Sequence, residues 1–113
     1  MVDDDDAFRG LAVRLLSALD LEVVGQSASC AAARAAAGRL QPDAALVDVN
    51  LPDGSGIALA AELTALPWKP RVVLISSDAD AATAAEVKRA GAVAFLRKDQ
   101  LADGTLAALF RAG

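Results

Sequence analysis

The sequence predicts an α/β fold: a parallel sheet with helices packed on both faces. Three observations predict it. Segments with apolar residues at helical spacing alternate with short apolar, β-branched runs. The connections between them are short and rich in Gly, Pro, Asp and Ser. No internal repeat, linker or low-complexity tail interrupts the 113 residues, a length that suits one core. Strand–helix–strand crossovers have a fixed hand, so all strand C-termini are expected at one edge of the sheet.

Each element has its own signal. Ala7 to Leu19 reads as a helix, with Phe8, Leu11, Ala12, Leu15, Leu16 and Leu19 on one face. The acids before it suit the positive end of the helix dipole. Leu21 to Ser27 reads as a strand carrying Val23 and Val24. Ser29 is placed to cap an Ala-rich helix, Cys30 to Leu40, which Gln41-Pro42 closes. Ala44 to Val49 is a buried strand. Ile57 to Leu66 is a helix stopped by Pro67. Arg71 to Ser76, with Val72, Val73, Leu74 and Ile75, is the most β-like run. Ala79 to Ala90 reads as a helix ended by Gly91, Val93 to Arg97 as a short strand, and Asp99 to Arg111 as a last helix. Trp68, between Pro67 and Pro70, is expected to cover the bottom edge of the sheet.

Composition narrows the chemistry. Hydrophobic residues make up 55% of the chain, but 28 alanines inflate that figure and point to tightly apposed helices. A net charge of −4 offers no basic footprint for nucleic acid. The chain has no His, which removes the commonest general base and transition-metal ligand. Cys30 is its only cysteine, so disulfides and Cys-based zinc sites are excluded, and a small buried hydrophobe is expected there. No apolar stretch approaches the roughly 18 residues of a membrane span, and Met1-Val2-Asp3-Asp4 is no signal peptide. A cytoplasmic location is the expectation.

Asp48 ends an apolar run, Ala44-Ala45-Leu46-Val47-Asp48-Val49. Acids are rare in such runs, because burying an unpaired charge is unfavourable. Open α/β sheets keep their ligand sites at strand C-termini. Three other features fall at or just beyond apolar runs: the acids Asp3 to Asp6, the Ser76 hydroxyl and the Lys98 amine. The predicted topology brings Asp48, Ser76 and Lys98 to one edge. Read singly, each is ordinary: a solvated acidic start, a strand-end hydroxyl, a surface lysine, a core ring at Phe95, and a turn at Gly54 and Gly56.

Taken together, Val2-Asp3-Asp4, Leu46-Val47-Asp48, Asn50-Leu51-Pro52-Asp53-Gly54, Ser76-Ser77 and Phe95-Leu96-Arg97-Lys98 resemble the receiver domain of two-component response regulators. The resemblance covers nearly the whole chain, with the motifs in the family's order. It implies a flavodoxin-like, doubly wound parallel sheet of order 2-1-3-4-5. It implies Asp48 as phosphoacceptor, Ser76 and Lys98 as its readers and Phe95 as an aromatic switch. Asp3, Asp4, Asp48 and the backbone carbonyl of Asn50 are the implied Mg²⁺ ligands, and Mg²⁺ does favour carboxylate and phosphate oxygens. The implied partner is a histidine kinase or phosphotransfer protein, which supplies the His this chain lacks. A second copy of the chain is a further candidate partner. No direct nucleic-acid binding and no enzyme activity on other substrates are expected. Asp99 stands where many receivers carry Pro, and Lys-polar endings of this kind are similar to receivers joined to helix-turn-helix output domains.

One departure stands out. Only Met1 and Val2 precede Asp3, against a typical strand of about 5–6 residues. The first strand is therefore expected to be mostly missing, which makes the domain at 1–113 N-terminally short and its central ladder incomplete. Two rival readings follow. An aspartate-nucleophile phosphatase would want a second acid two residues after the nucleophile, and this chain has Asn50 there. A degenerate receiver would act as a phosphorylation-independent interaction module.

Overall fold

The computed structural model describes residues 1–103 and 105–111. Along the chain run α1 (Asp6–Ala18), α2 (Cys30–Leu40), β1 (Ala44–Asp48), β2 (Asn50–Leu51), β3 (Gly54–Ser55) and α3 (Gly56–Thr64). β4 (Arg71–Ser76), α4 (Ala84–Arg89), β5 (Ala94–Arg97), a 3-10 helix (Lys98–Asp103) and α5 (Thr105–Arg111) follow. β1, β4 and β5 form a parallel sheet in the order β1-β4-β5. Asp48 sits opposite Ile75, and Ser76 opposite Arg97, so both functional candidates end their strands at the same edge.

Strand alternation divides the core. Val47, Val72 and Leu74 face one side, where Ala33 and Ala37 of α2 and Leu59 and Leu63 of α3 cover them. Leu46, Val73 and Ile75 face the other, against Ala12 and Leu16 of α1, Leu101 and Leu106. Small alanines let α2 lie close, as the composition predicts, and Cys30 is buried among them. Trp68 donates its indole N–H to the Pro42 carbonyl at 2.9 Å, below the start of β1. Among the described residues no helix is long and apolar enough to cross a membrane.

Helix starts follow their capping chemistry. Asp5 caps α1 by accepting from the N–H groups of Ala7 and Phe8, Ser29 caps α2 and Ser55 caps α3. The helix predicted from Ala79 begins five residues later, at Ala84. Thr83 and Glu86 form a reciprocal capping box, and the Asp78 carboxylate holds the preceding segment in a turn by accepting from the Asp80 N–H. The last predicted helix is divided: Lys98–Asp103 is a 3-10 helix and Thr105–Arg111 is α-helical. Gly104, inside the predicted span, lies outside the described residues, as do Ala112 and Gly113.

The strand predicted at Leu21–Ser27 is also corrected. Its only ladder contact among the described residues is an isolated parallel bridge between Ser27 and Val2. A strand needs a neighbour along its length, and here the neighbour is Val2 alone. Val2 bridges Val47 on its other side, so it stands as a one-residue remnant between the two flanks. The spatial sequence of Ser27, Val2, β1, β4 and β5 keeps the predicted order, with Val2 in the first strand's place.

Candidate functional site: an acidic cluster bridged by a lysine

Asp3 follows Val2, whose backbone is clamped on both sides of the remnant strand. The Val2 N–H donates to Leu46 and its carbonyl accepts from Asp48, while the Asp3 N–H donates to Ser27. This short ladder delivers Asp3 beside Asp48. Asp3 is fully buried and Asp48 is 5% exposed, whereas Asp4 faces solvent. One carboxylate oxygen from each of Asp3, Asp4 and Asp48 lies within 4.8 Å of the others.

Lys98 neutralises part of this charge. Its Nζ lies 2.7 Å from Asp3 Oδ2 and 3.0 Å from Asp48 Oδ2. The same ammonium sits 4.4 Å from the centroid of the Phe8 ring, on the first turns of α1. Burial alone would lower the Lys98 amine, but its contacts with both carboxylates outweigh that and hold it above its usual range. Burial raises the Asp3 carboxyl, against the opposing pull of Lys98 and of the Asp5 N–H. Asp3 Oδ2 makes no regular hydrogen bond among the described residues and has the Lys98 ammonium as its ion-pair partner. Two backbone amides aim the remaining oxygens: Asp5 N–H donates to Asp3 Oδ1 and Asn50 N–H to Asp48 Oδ1, each at 2.9 Å.

Ser76 is buried at the end of β4, and its Oγ accepts from the Asp78 N–H at 3.1 Å. Phe95 is partly buried and packs against the core on the α3–α4 side. Asn50 lies directly beyond Asp48 and pairs with Ser55 in a small antiparallel hairpin, β2-β3.

Three contributions were not legible in the sequence. Gly56 reads there as a turn residue, yet a Cβ on it would overlap the Asp48 carbonyl oxygen and lie 2.8 Å from Val49 Cα. Its N–H donates to the Val49 carbonyl at 2.7 Å, so glycine is what lets α3 start hard against the acidic strand. The Asp53 carboxylate accepts from the N–H groups of Cys30 and Ala31, at 2.7 and 3.0 Å, tying the loop after Asp48 to the start of α2. Those amides hold its carboxyl below the usual range. Arg9 donates to the Asp3 carbonyl at 2.6 Å and steadies the acidic segment from α1. Each is a contact across the fold, and such contacts leave no local signal.

The model of the response regulator receiver domain matches residues 1–110. The chain belongs to the response regulator receiver family. It is 36% identical over 100 residues to the DNA-binding transcriptional activator DevR/DosR of Mycobacterium tuberculosis, covering 88% of this chain and 46% of that protein. Among solved structures, it is similar to the receiver domain of the response regulator NarL from M. tuberculosis. The two share 32% identity with a TM-score of 0.77, covering 96% of this chain and 91% of that one. It is also similar to the BeF3-activated receiver domain of RstA from Klebsiella pneumoniae. Here identity is 26% and the TM-score 0.81, covering 97% of this chain and 95% of that one. The chain spans about half the length of the first curated relatives it matches. The receiver family explains the fold: an α/β sheet of flavodoxin-like type with helices on both faces.

Proposed function

We propose that this receiver is a phosphorylation-dependent signalling switch with Asp48 as its phosphoacceptor. The observation that carries this reading is the Asp3–Asp4–Asp48 cluster with Lys98 bridging Asp3 and Asp48. The Asp48 carboxylate would attack phosphorus in line, and the bond to the donor's imidazole nitrogen would break with its electron pair leaving on the imidazole. The donor is a histidine kinase or phosphotransfer protein, since the chain has no His of its own.

The residues fit Mg²⁺. Every candidate ligand is an oxygen, Asp3 Oδ2 is buried without a regular hydrogen bond, and exposed Asp4 leaves a side open to water and phosphate. Asp3, Asp4, Asp48 and the Asn50 backbone carbonyl would hold the ion. When bound, it would withdraw charge from the phosphoryl oxygens.

Lys98 exchanges the Asp48 oxygen for a phosphoryl oxygen. The Ser76 hydroxyl accepts from Asp78, which leaves its proton to donate to the phosphoryl group. Phosphorylation adds roughly −1.5 to −2 charge, and the movements of Ser76 and Lys98 toward it carry to Phe95, α4 and α5. The chain catalyses its own phosphorylation and dephosphorylation and turns over no other substrate. A second copy is a further partner for the switched face. DNA contact belongs to no part of this acidic chain, and its place of work is the cytoplasm.

The second reading is a degenerate receiver whose interactions ignore phosphorylation. One experiment separates the two. Incubation with acetyl phosphate and Mg²⁺ should add one phosphoryl mass to wild type and none to Asp48→Ala. Beryllofluoride should shift the amide spectrum of wild type alone. A wild-type chain that neither gains mass nor responds to beryllofluoride belongs to the second reading.

A further inference from the structure

Phe8 stands in the first turns of α1, where helical periodicity assigns its ring to the core. The ring does pack against that half of the core, but it is only partly buried. Its face receives the Lys98 ammonium, with Nζ 4.4 Å from the ring centroid.

The start of the helix puts the ring there. The Asp5 carboxylate caps α1 by accepting from the N–H groups of Ala7 and Phe8, at 3.1 and 3.2 Å. The Asp5 N–H in turn donates to Asp3 Oδ1 at 2.9 Å. Asp3 Oδ2 lies 2.7 Å from Lys98 Nζ. Asp3 therefore reaches Lys98 twice: directly through one oxygen and, through the other, by way of Asp5 and the Phe8 ring. Helix cap and ion pair close one circuit of contacts.

A lysine ammonium carries three donors on a flexible stem and has no direction of its own. Here Asp3, Asp48 and the Phe8 face surround it, and its side chain is 16% exposed. An aromatic face holds a cation more firmly as water is withdrawn. A divalent cation on Asp3 and Asp48, or a phosphoryl group on Asp48, would draw on the two carboxylates. The ring is the neighbour that neither one engages.

We propose that Phe8 is a positioning residue for the phosphoryl reaction: its face holds the Lys98 ammonium beside Asp48 while the carboxylates are engaged, so that Nζ meets a phosphoryl oxygen instead of solvent. The proposal rests on the reading of Asp48 as phosphoacceptor. A ring that only filled the core would serve equally well with its electrons withdrawn, and that difference can be measured.

Fluorine withdraws electron density from the ring face and nearly keeps its shape. Phe8 alone is replaced by difluoro- or pentafluorophenylalanine, and labelling of Asp48 by acetyl phosphate with saturating Mg²⁺ is followed by mass. The rate should fall stepwise with fluorination, by about fivefold or more for the pentafluoro ring, while the chain keeps its circular dichroism. The difluoro ring carries the test if the pentafluoro ring unsettles the core. In a Lys98→Ala background the same replacement should leave the residual rate unchanged. With no phosphoryl donor or Mg²⁺ present, the Lys98 ε-methylene proton resonances should lie upfield in wild type, shifted by the ring current, and return to ordinary positions in Phe8→Leu. A labelling rate indifferent to fluorination overturns the proposal. So does equal slowing in the Lys98→Ala background, or an ε-methylene unshifted in wild type. A wild-type chain that takes no label at all ends the phosphoacceptor reading itself, and the proposal with it.

Discussion

Asp3 is the residue on which the site turns. It is fully buried, and its carboxylate competes with Asp48 for one ammonium. Removing one partner of a buried ion pair leaves an uncompensated charge, so Lys98→Ala should lower stability by roughly 3 kcal/mol, read as the urea midpoint. Asp3→Asn should act in the other direction. A carboxyl whose folded pKa is raised holds its proton more tightly folded than unfolded. Stability then falls as pH rises from 3.8 through the folded value. Asp3→Asn removes that loss while the Lys98–Asp48 pair remains. The variant should exceed wild type in urea midpoint at pH 7, and the gap should narrow as pH falls toward 4. A gap independent of pH would show that Asp3 is not held with a raised pKa.

At the scale of elements, the junction from β1 to α3 is the tightest constraint. The hairpin β2-β3 folds back so closely that Gly56 lies on the Asp48 carbonyl. A methyl group there meets backbone, which has little room to give. Gly56→Ala should therefore cost more than about 2 kcal/mol and displace Asp48. The measurement is a thermal melt paired with the rate of labelling by acetyl phosphate, and both should fall. Gly10, in α1, whose would-be Cβ meets nothing within 4 Å beyond its own helix backbone, is the control: Gly10→Ala should stabilise or leave the melt unchanged. The start of α4 makes the complementary point. Helical periodicity extends back to Ala79, but the Thr83–Glu86 capping box starts the helix at Ala84. Capping chemistry was present in the sequence and outweighed the apolar pattern.

For the whole molecule, the acidic cluster weighs on stability. Carboxylates gathered without a cation repel, and a ligand that binds only the folded state adds stability by mass action. Mg²⁺ at ten times its dissociation constant should add about 1.4 kcal/mol, several degrees in Tm. Asp3→Asn combined with Asp4→Asn should erase that gain, and an equal gain in the double variant would remove the cluster as the metal site. The two core halves are joined through β1, β4 and β5.

The sequence by itself determined the α/β class, the helices on both faces, and the strand ends that carry Asp48, Ser76 and Lys98. Those follow from local periodicity and chain direction, which are written in consecutive residues. Only the tertiary structure decided that the predicted strand Leu21–Ser27 reduces to a bridge at Ser27 among the described residues, that Lys98 spans Asp3 and Asp48, and that Gly56 and Asp53 brace the acidic loop. The reason is physical. A strand exists through its neighbours and a carboxylate's charge state through its surroundings, and both are contacts between residues far apart in the chain.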